Sequence, residues 1–427
     1  MVIIVLLGTM LLLSALSLPL VFSILAASLV TLVIFRPGLP LVVVPQLFVS
    51  GMDQSLLLAI VFFFFAGELM NRGGITERVV DFAHALVGHI KGGLAHVNIV
   101  SSIVFSGISG SAVADTAAIG TVMIPAMARK GFSREFSAAV TQTSSVIGPI
   151  IPPSIPMLVY ASLAEVSVGK MFLGGIVPGL LIGCCLMAAV YVISDRRNYP
   201  CEESVTARRI LQTGGNAGFA LVSPLIIVGG ILGGVFTATE AGAVAAVYSF
   251  LVGKFIYREL SWKDCWTSLL QAAAGTSTIM VILGASSIFA WIVADLQISH
   301  QVAELIFSVS ETPWIVLLLV NVAVLIVGLF MDPLAALIIL IPMLLPTVVE
   351  LGISPLHFGV VIVMNLMIGL CTPPVGYLIY LSASIAKTKP EGVIQESLPF
   401  FFALLFALLL CIFIPEITMT LPGLTGK

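Results

Sequence analysis

The chain has 427 residues, 59% of them hydrophobic and 9% charged, with a formal net charge of −3. Soluble domains carry about 25% charged residues, so this chain cannot clothe itself for water, and no polar stretch is long enough for a separate soluble domain. What remains is an all-α polytopic membrane protein made of apolar stretches of about 20 residues, with no nucleic-acid partner expected.

From the N-terminus, residues 2–35 show neither a basic n-region nor a small-residue cleavage site. They read as membrane helix bent near Pro19 rather than a removed signal peptide. Residues 1–70 form N-terminal scaffold helices. The phenylalanines at 62–65 read as lipid-facing or packed, and Glu68, ahead of Arg72, as interfacial. Residues 71–200 hold a first repeat. Its loops carry Arg72, Arg78 and Lys91, then Arg129, Lys130 and Arg134, and Lys/Arg-rich loops stay cytoplasmic. The segment 92–128 therefore enters and leaves on one side. A span–turn–span pair would do the same, but the small polar tip Gly107-Ile-Ser-Gly-Ser-Ala-Val-Ala-Asp115, with arms under about 20 residues, favours a re-entrant hairpin.

Residues 201–290 connect the halves. Spans at 218–235 and 240–257 lie between basic loops bearing Arg196, Arg197, Arg208 and Arg209, and Lys254, Arg258 and Lys263. From Asp264 to Ala386 there is neither Lys nor Arg; the loops carry Asp295, Glu304, Glu311, Glu350 and His357 instead. A second repeat, 291–390, therefore opens to the outside, and residues 391–427 supply the last helix.

The repeat shows in its landmarks. Asp115, Pro125, Gly131-Phe-Ser133 and Gly148-Pro-Ile-Ile-Pro152-Pro153 are followed by Asp332, Pro342, Gly352-Ile-Ser354 and Gly369-Leu-Cys-Thr-Pro373-Pro374. The spacing pairs Asp115 with Asp332 and needs a four-residue insertion before Gly352. With basic loops around only the first copy, the two are inverted-topology repeats. In each, Pro-Pro breaks a helix, and irregular backbone at membrane depth is tolerated only where protein or a water-filled cavity surrounds it. Discontinuous helices converging near the midplane are how secondary transporters build binding sites.

A membrane aspartate costs at least about 2.5 kcal/mol at a helix centre, so a functional role is its default reading. Ser109, Ser111, Thr116 and Thr372 supply hydroxyls nearby, and each break frees carbonyls. Such oxygens suit a hard cation, sodium, and the aspartates could alternatively cap the outgoing helix arms. Helices restarting after Pro152-Pro153 and Pro373-Pro374 expose N–H groups that favour an anionic substrate. Ser111, Thr143, Ser144 and Ser145 could add contacts to it, or could equally pack helices together, as could Thr141. The six cysteines have no ligand spacing, and His84, His89 and His96 share no helical face, so no metal site besides sodium is expected.

The strings Gly-Ile-Ser-Gly-Ser-Ala-Val-Ala-Asp115, Gly-Pro-Ile-Ile-Pro152-Pro153-Ser and Cys-Thr372-Pro-Pro-Val-Gly376 resemble those of the large membrane subunit of tripartite ATP-independent periplasmic (TRAP) transporters. The resemblance spans essentially the whole chain. It implies an ion-transporter-superfamily fold of about eleven spans with two inverted hairpins, moving as an elevator against a scaffold in a bacterial inner membrane. It also implies a separate small four-helix membrane subunit, a periplasmic substrate-binding protein, and sodium-coupled import of a carboxylate such as sialic acid or a C4-dicarboxylate. By position, Ser109 and Asp115 match the family's first sodium-site loop and Gly148 and Pro152 its first broken-helix loop. Asp332 matches the acidic position of the second hairpin, and Gly369, Thr372 and Gly376 its second broken-helix loop. Of these, Pro152 is read as a substrate contact and the others as sodium-binding.

Three rival classes fit less well. A serine protease needs a histidine base, and His300 and His357 fall in expected outside loops; the two aspartates lie in separate loops with no Gly-x-Gly-Asp. An ATP-driven permease would need its ATP site on another subunit, because the chain has no Gly-x-x-x-x-Gly-Lys-Ser/Thr. A channel is disfavoured by repeats inverted within one chain.

Overall fold

A computed structural model describes residues 2–16, 18–53, 55–201, 206–310 and 312–424, which are helical with no strand among them. Among the described residues, seven helices are long and apolar enough to cross a membrane. They include Ala207–Leu232 and Ala238–Ile256, which overlap the two connecting spans read from the charge pattern, the first starting 11 residues earlier and ending three residues sooner.

The N-terminus departs from the single bent helix. Val2–Ala15 and Leu20–Phe35 are separate helices packed side by side. Pro19 has extended backbone (φ −54°, ψ 137°) and cannot continue the first helix, so the chain folds back. This hairpin buries Leu6, Met10, Ile24 and Ala27 against Phe289 and Ile292 of the long helix Trp262–Asp295. Arg36 Nε reaches Asp295 Oδ2 at 2.7 Å. Ser55–Arg72 packs between Ala238–Leu251 and Trp262–Asp295 and completes the scaffold.

The site is carried by eight helices of 9 to 18 residues in two sets of four. The first set is α1 (Gly93–Ser109), α2 (Ala112–Arg129), α3 (Arg134–Ser145) and α4 (Ile155–Leu163). The second is α5 (Pro313–Phe330), α6 (Pro333–Glu350), α7 (Pro355–Gly369) and α8 (Tyr377–Ala386). In each set two helices form a hairpin, and the next two are one helix broken in the middle. α3 has 12 residues, which places its break about 18 Å in from its start, near the middle of a hydrocarbon core about 30 Å thick.

The sets exchange their last helices. α4 packs on α6 and α7, and α8 packs on α2 and α3. Tyr160 Oη on α4 donates to Pro355 O at 2.5 Å, and Arg134 Nη1 at the start of α3 donates to Ala386 O at 3.3 Å. A Cβ on Gly359 would collide with the Tyr160 ring, so the bare glycine is what lets α4 seat on α7. The exchange binds both sets into one core of buried Ile, Leu, Val, Met and Phe.

The two hairpins open toward opposite ends of the helix Pro390–Phe413. Near its start lie Arg197, whose Nη1 is 2.8 Å from Glu396 Oε2, and Glu135, which accepts from Thr388 Oγ1; both flank the base of the α1–α2 hairpin. Near its end, Phe413 meets Trp314 at the start of α5, with ring centroids 6.2 Å apart. His357 is not in a loop. It is buried in the first turn of α7 with Nδ1 2.7 Å from Thr418 Oγ1, because the four residues around Gly352 already complete the turn from α6.

Candidate functional site

At the first tip, Gly110 (φ +61°) reverses the chain, and Ser111 Oγ caps α2 by accepting from Ala114 N at 3.4 Å. Asp115 follows in the first turn of α2 and is fully buried. Ser109 Oγ donates to Asp115 Oδ1, whereas Oδ2 has no hydrogen-bond partner among the described residues. Oδ2 faces Gly148 in the first break so closely that a Cβ on Gly148 would overlap it. A Cβ on Gly110 would lie 2.6 Å from Pro153 O. The fold thus brings Ser109, Asp115, Gly148 and Pro153 together, with Pro152 buried beside them.

The second tip is built differently. Met331 is extended (φ −118°, ψ 149°), and Asp332 is itself the cap of α6, its Oδ1 accepting from Leu334 N at 3.0 Å and Ala335 N at 3.3 Å. Its side chain is open rather than buried. A Cβ on Gly369 would lie 2.9 Å from the carbonyl carbon and oxygen of Gly328, so here hairpin and break meet backbone to backbone. The break closes on itself: Gly376 N donates to Thr372 O at 3.0 Å, and Thr372 Oγ1 to Ile368 O at 2.7 Å. Asp115 and Asp332 are therefore not counterparts; the equivalent of the Asp332 cap is Ser111, one helical turn before Asp115.

Between the tips lies a cavity of about 80 Å³, lined by Phe64, Ser111, Val113, Pro149, Pro156 and Asp332 among others. Three helices, α2, α4 and α6, begin at its wall, and helix starts favour negative charge. On the other side of Asp332 a cavity of about 430 Å³ is walled by Leu11 and Leu18 of the N-terminal hairpin and by Phe330. Among the described residues, no Lys, Arg or His lines either one.

Of the residues read as substrate contacts, Ser111 lines the cavity between the tips; Thr143, Ser144, Ser145, Pro152, Pro153, Pro373 and Pro374 do not. Thr143 and Ser145 donate to Ala139 O and Thr141 O of their own helix, each at 2.7 Å. Ser144 accepts from Ser102 Oγ at 2.8 Å. Pro152-Pro153 and Pro373-Pro374 are both cis and form the two breaks.

Sequence reasoning passed over two polar clasps. Asn98 Nδ2 donates to Thr141 Oγ1 at 2.7 Å, joining α1 to α3, and Asn365 Nδ2 donates to Asn321 Oδ1 at 2.7 Å, joining α7 to α5. Each clasp holds a hairpin to its broken helix, and an amide inside an apolar helix was the available signal. The scaffold contact was missed as well: a Cβ on Gly67 would lie 3.2 Å from Ile108 O, and Phe64 reaches the cavity.

The family model described as "Tripartite ATP-independent periplasmic transporter, DctM component" matches residues 7–417. The chain belongs to this family. The permease is 38% identical to the C4-dicarboxylate TRAP transporter large permease protein DctM of Pseudomonas aeruginosa, over 93% of this chain and 92% of that one. It is likewise 38% identical to the sialic acid TRAP transporter large permease protein SiaM of Vibrio cholerae, over 89% of each. Its fold is similar to that of the YdaH transporter of Alcanivorax borkumensis, with a TM-score of 0.61, 17% identity and 87% coverage of each chain. The permease is thus a multi-pass membrane protein and the large subunit of a secondary transporter, not an enzyme. Permeases of this family work with a small membrane subunit and a periplasmic binding protein.

Proposed function

We propose that the permease imports an organic acid across a bacterial inner membrane, driven by sodium, with its sites between two halves of inverted topology. The observation that carries the sodium reading is the Asp115 carboxylate. A buried oxygen without a donor is costly, and a hard cation held by Asp115 Oδ2, Ser109 Oγ and freed carbonyls around Gly148 would remove that cost. A second ion would use the carbonyls and hydroxyl of Gly369, Thr372 and Gly376, with Asp332 beside them.

The carboxylate of the substrate docks between the tips, where three helix starts replace a cationic side chain. Ser111 donates to it. Sialic acid and C4-dicarboxylates are the readings that two relatives support. The basic end of the molecule faces the cytoplasm, which supports hairpins reached from opposite sides. The exchange of α4 and α8 supports an elevator in which both hairpins and both broken helices move as one body against the scaffold. A separate four-helix subunit and a periplasmic binding protein complete the machine.

The test is uptake of labelled succinate and of sialic acid into proteoliposomes holding the permease, its small subunit and its binding protein. Accumulation is expected only with an inward sodium gradient. Uptake unchanged when potassium replaces sodium would sink the reading.

A further inference from the structure

The cavity at the basic end is separate from the sites between the tips. It measures about 640 Å³ and lies where the last turn of α2, the first turn of α3 and the end of α8 meet. Arg129, Arg134 and Lys387 line it, and among the described residues no carboxylate does. Glu135, beside Arg134, is turned to the Thr388 hydroxyl instead. Arg134 Nη1 donates to Ala386 O at 3.3 Å, while Arg129 and Lys387 enter no ion pair among the described residues. Ser133, also in the lining, caps α3 by accepting from Phe136 N at 3.2 Å, so a helix start adds partial positive charge.

Three cations around one cavity outnumber the single carboxylate beside them, Glu135, which lies outside the lining and acts on Arg134 alone, so together they suit a multiply bonded anion. Arginine presents its donors in a fork that fits phosphate oxygens. The rest of the lining, with Ile124, Phe132 and Ile385, is apolar, which a free anion would leave unused and an acyl chain would cover. The basic end is also where an anionic leaflet surface attracts Lys and Arg. We propose that this cavity binds a phosphate group, and that its source is the headgroup of an anionic phospholipid. Because Arg129 and Arg134 belong to the first set of helices and Lys387 to the second, the bound headgroup bridges α2 and α3 to α8 across the exchange.

The probe is phosphatidylglycerol added to the purified full chain, with retained lipid counted by native mass spectrometry against phosphatidylcholine. Wild type should retain phosphatidylglycerol selectively, and the double variant Arg129→Gln/Lys387→Gln should hold it roughly 30-fold more weakly. The charge-keeping variant Arg129→Lys/Lys387→Arg should retain it, which separates loss of the site from loss of the fold; Arg134 stays intact because it also bonds Ala386. A second arm titrates inorganic phosphate in the absence of anionic lipid and reads the thermal midpoint. A rise lost in the glutamine variant, without selective lipid retention, would keep the phosphate site and overturn the lipid source. Equal lipid retention and equal phosphate response in wild type and the glutamine variant overturn the proposal.

Discussion

Ser111 and Asp332 hold the same place in the two sets of helices: each caps the helix that leaves a hairpin tip, and both helices, α2 and α6, have 18 residues. Counted from these caps, the later landmarks keep one offset of 221 residues (332 − 111): Pro125 and Pro346, Gly131 and Gly352, Ser133 and Ser354, Gly148 and Gly369, Pro152 and Pro373. The insertion needed to pair Asp115 with Asp332 disappears, and Asp115 falls opposite Ala336. The two carboxylates therefore do different work, one buried beside a break and one capping a helix in the open.

The difference separates their variants. Asp115→Ala should abolish sodium-dependent uptake with the protein still inserted. Asp332→Ala should lose uptake and also about 1 kcal/mol of stability with its cap. Asp332→Asn should recover the stability, since asparagine caps as well, without recovering uptake. Thermal unfolding and uptake on the same three preparations decide it; equal stability of Asp332→Ala and Asp332→Asn would count against the cap.

Gly148 touches Asp115 Oδ2 and tolerates no side chain. Gly148→Ala should raise the sodium concentration for half-maximal uptake by at least about 10-fold, an energy of about 1.4 kcal/mol. Gly215→Ala is the control, because a Cβ there meets nothing within 4 Å; uptake should stay unchanged while its helix gains up to about 1 kcal/mol. An unchanged sodium response in Gly148→Ala would refute the close approach.

The clasp between Asn365 and Asn321 is buried, so breaking it from one side strands a polar group. Asn365→Ala should cost about 1–3 kcal/mol, read as a lower thermal midpoint. The double change Asn321→Leu/Asn365→Leu should cost less than the two single changes added together.

The Arg36–Asp295 pair sits at the surface, with Arg36 about half exposed (47%). Arg36→Gln should cost no more than about 1 kcal/mol, and the difference should shrink as salt rises. A large, salt-independent loss would show that the N-terminal hairpin depends on this pair.

Much of the fold was legible because the bilayer leaves few choices. Apolar stretches must be helices, Pro-Pro must interrupt them, and the small polar run from Gly107 to Asp115 favoured a tip, which the structure confines to Gly110 and Ser111 between two helices. The substrate contacts were less legible. Thr143 and Ser145 look available in the sequence, but a buried helix hydroxyl finds its own backbone carbonyl one turn back. Val113, Pro149 and Pro156 offered no polar signal at all, yet they line the cavity because the chain turns there.

The sequence by itself determined a membrane-embedded chain with two hairpins and two broken helices, since composition, glycine and proline act locally, and its motifs carried the resemblance to a transporter subunit. Tertiary structure decided which residues share a site. The register of the halves hung on two prolines, Pro342 and Pro346, both inside α6 and one turn apart. Matching the two aspartates selects Pro342 at the cost of an insertion, whereas the unbroken offset of 221 selects Pro346. Packing agrees with the second: Asp115 meets Gly148 because α2 is seated against the first break, while Asp332 caps its own helix and lines the cavities on either side of it.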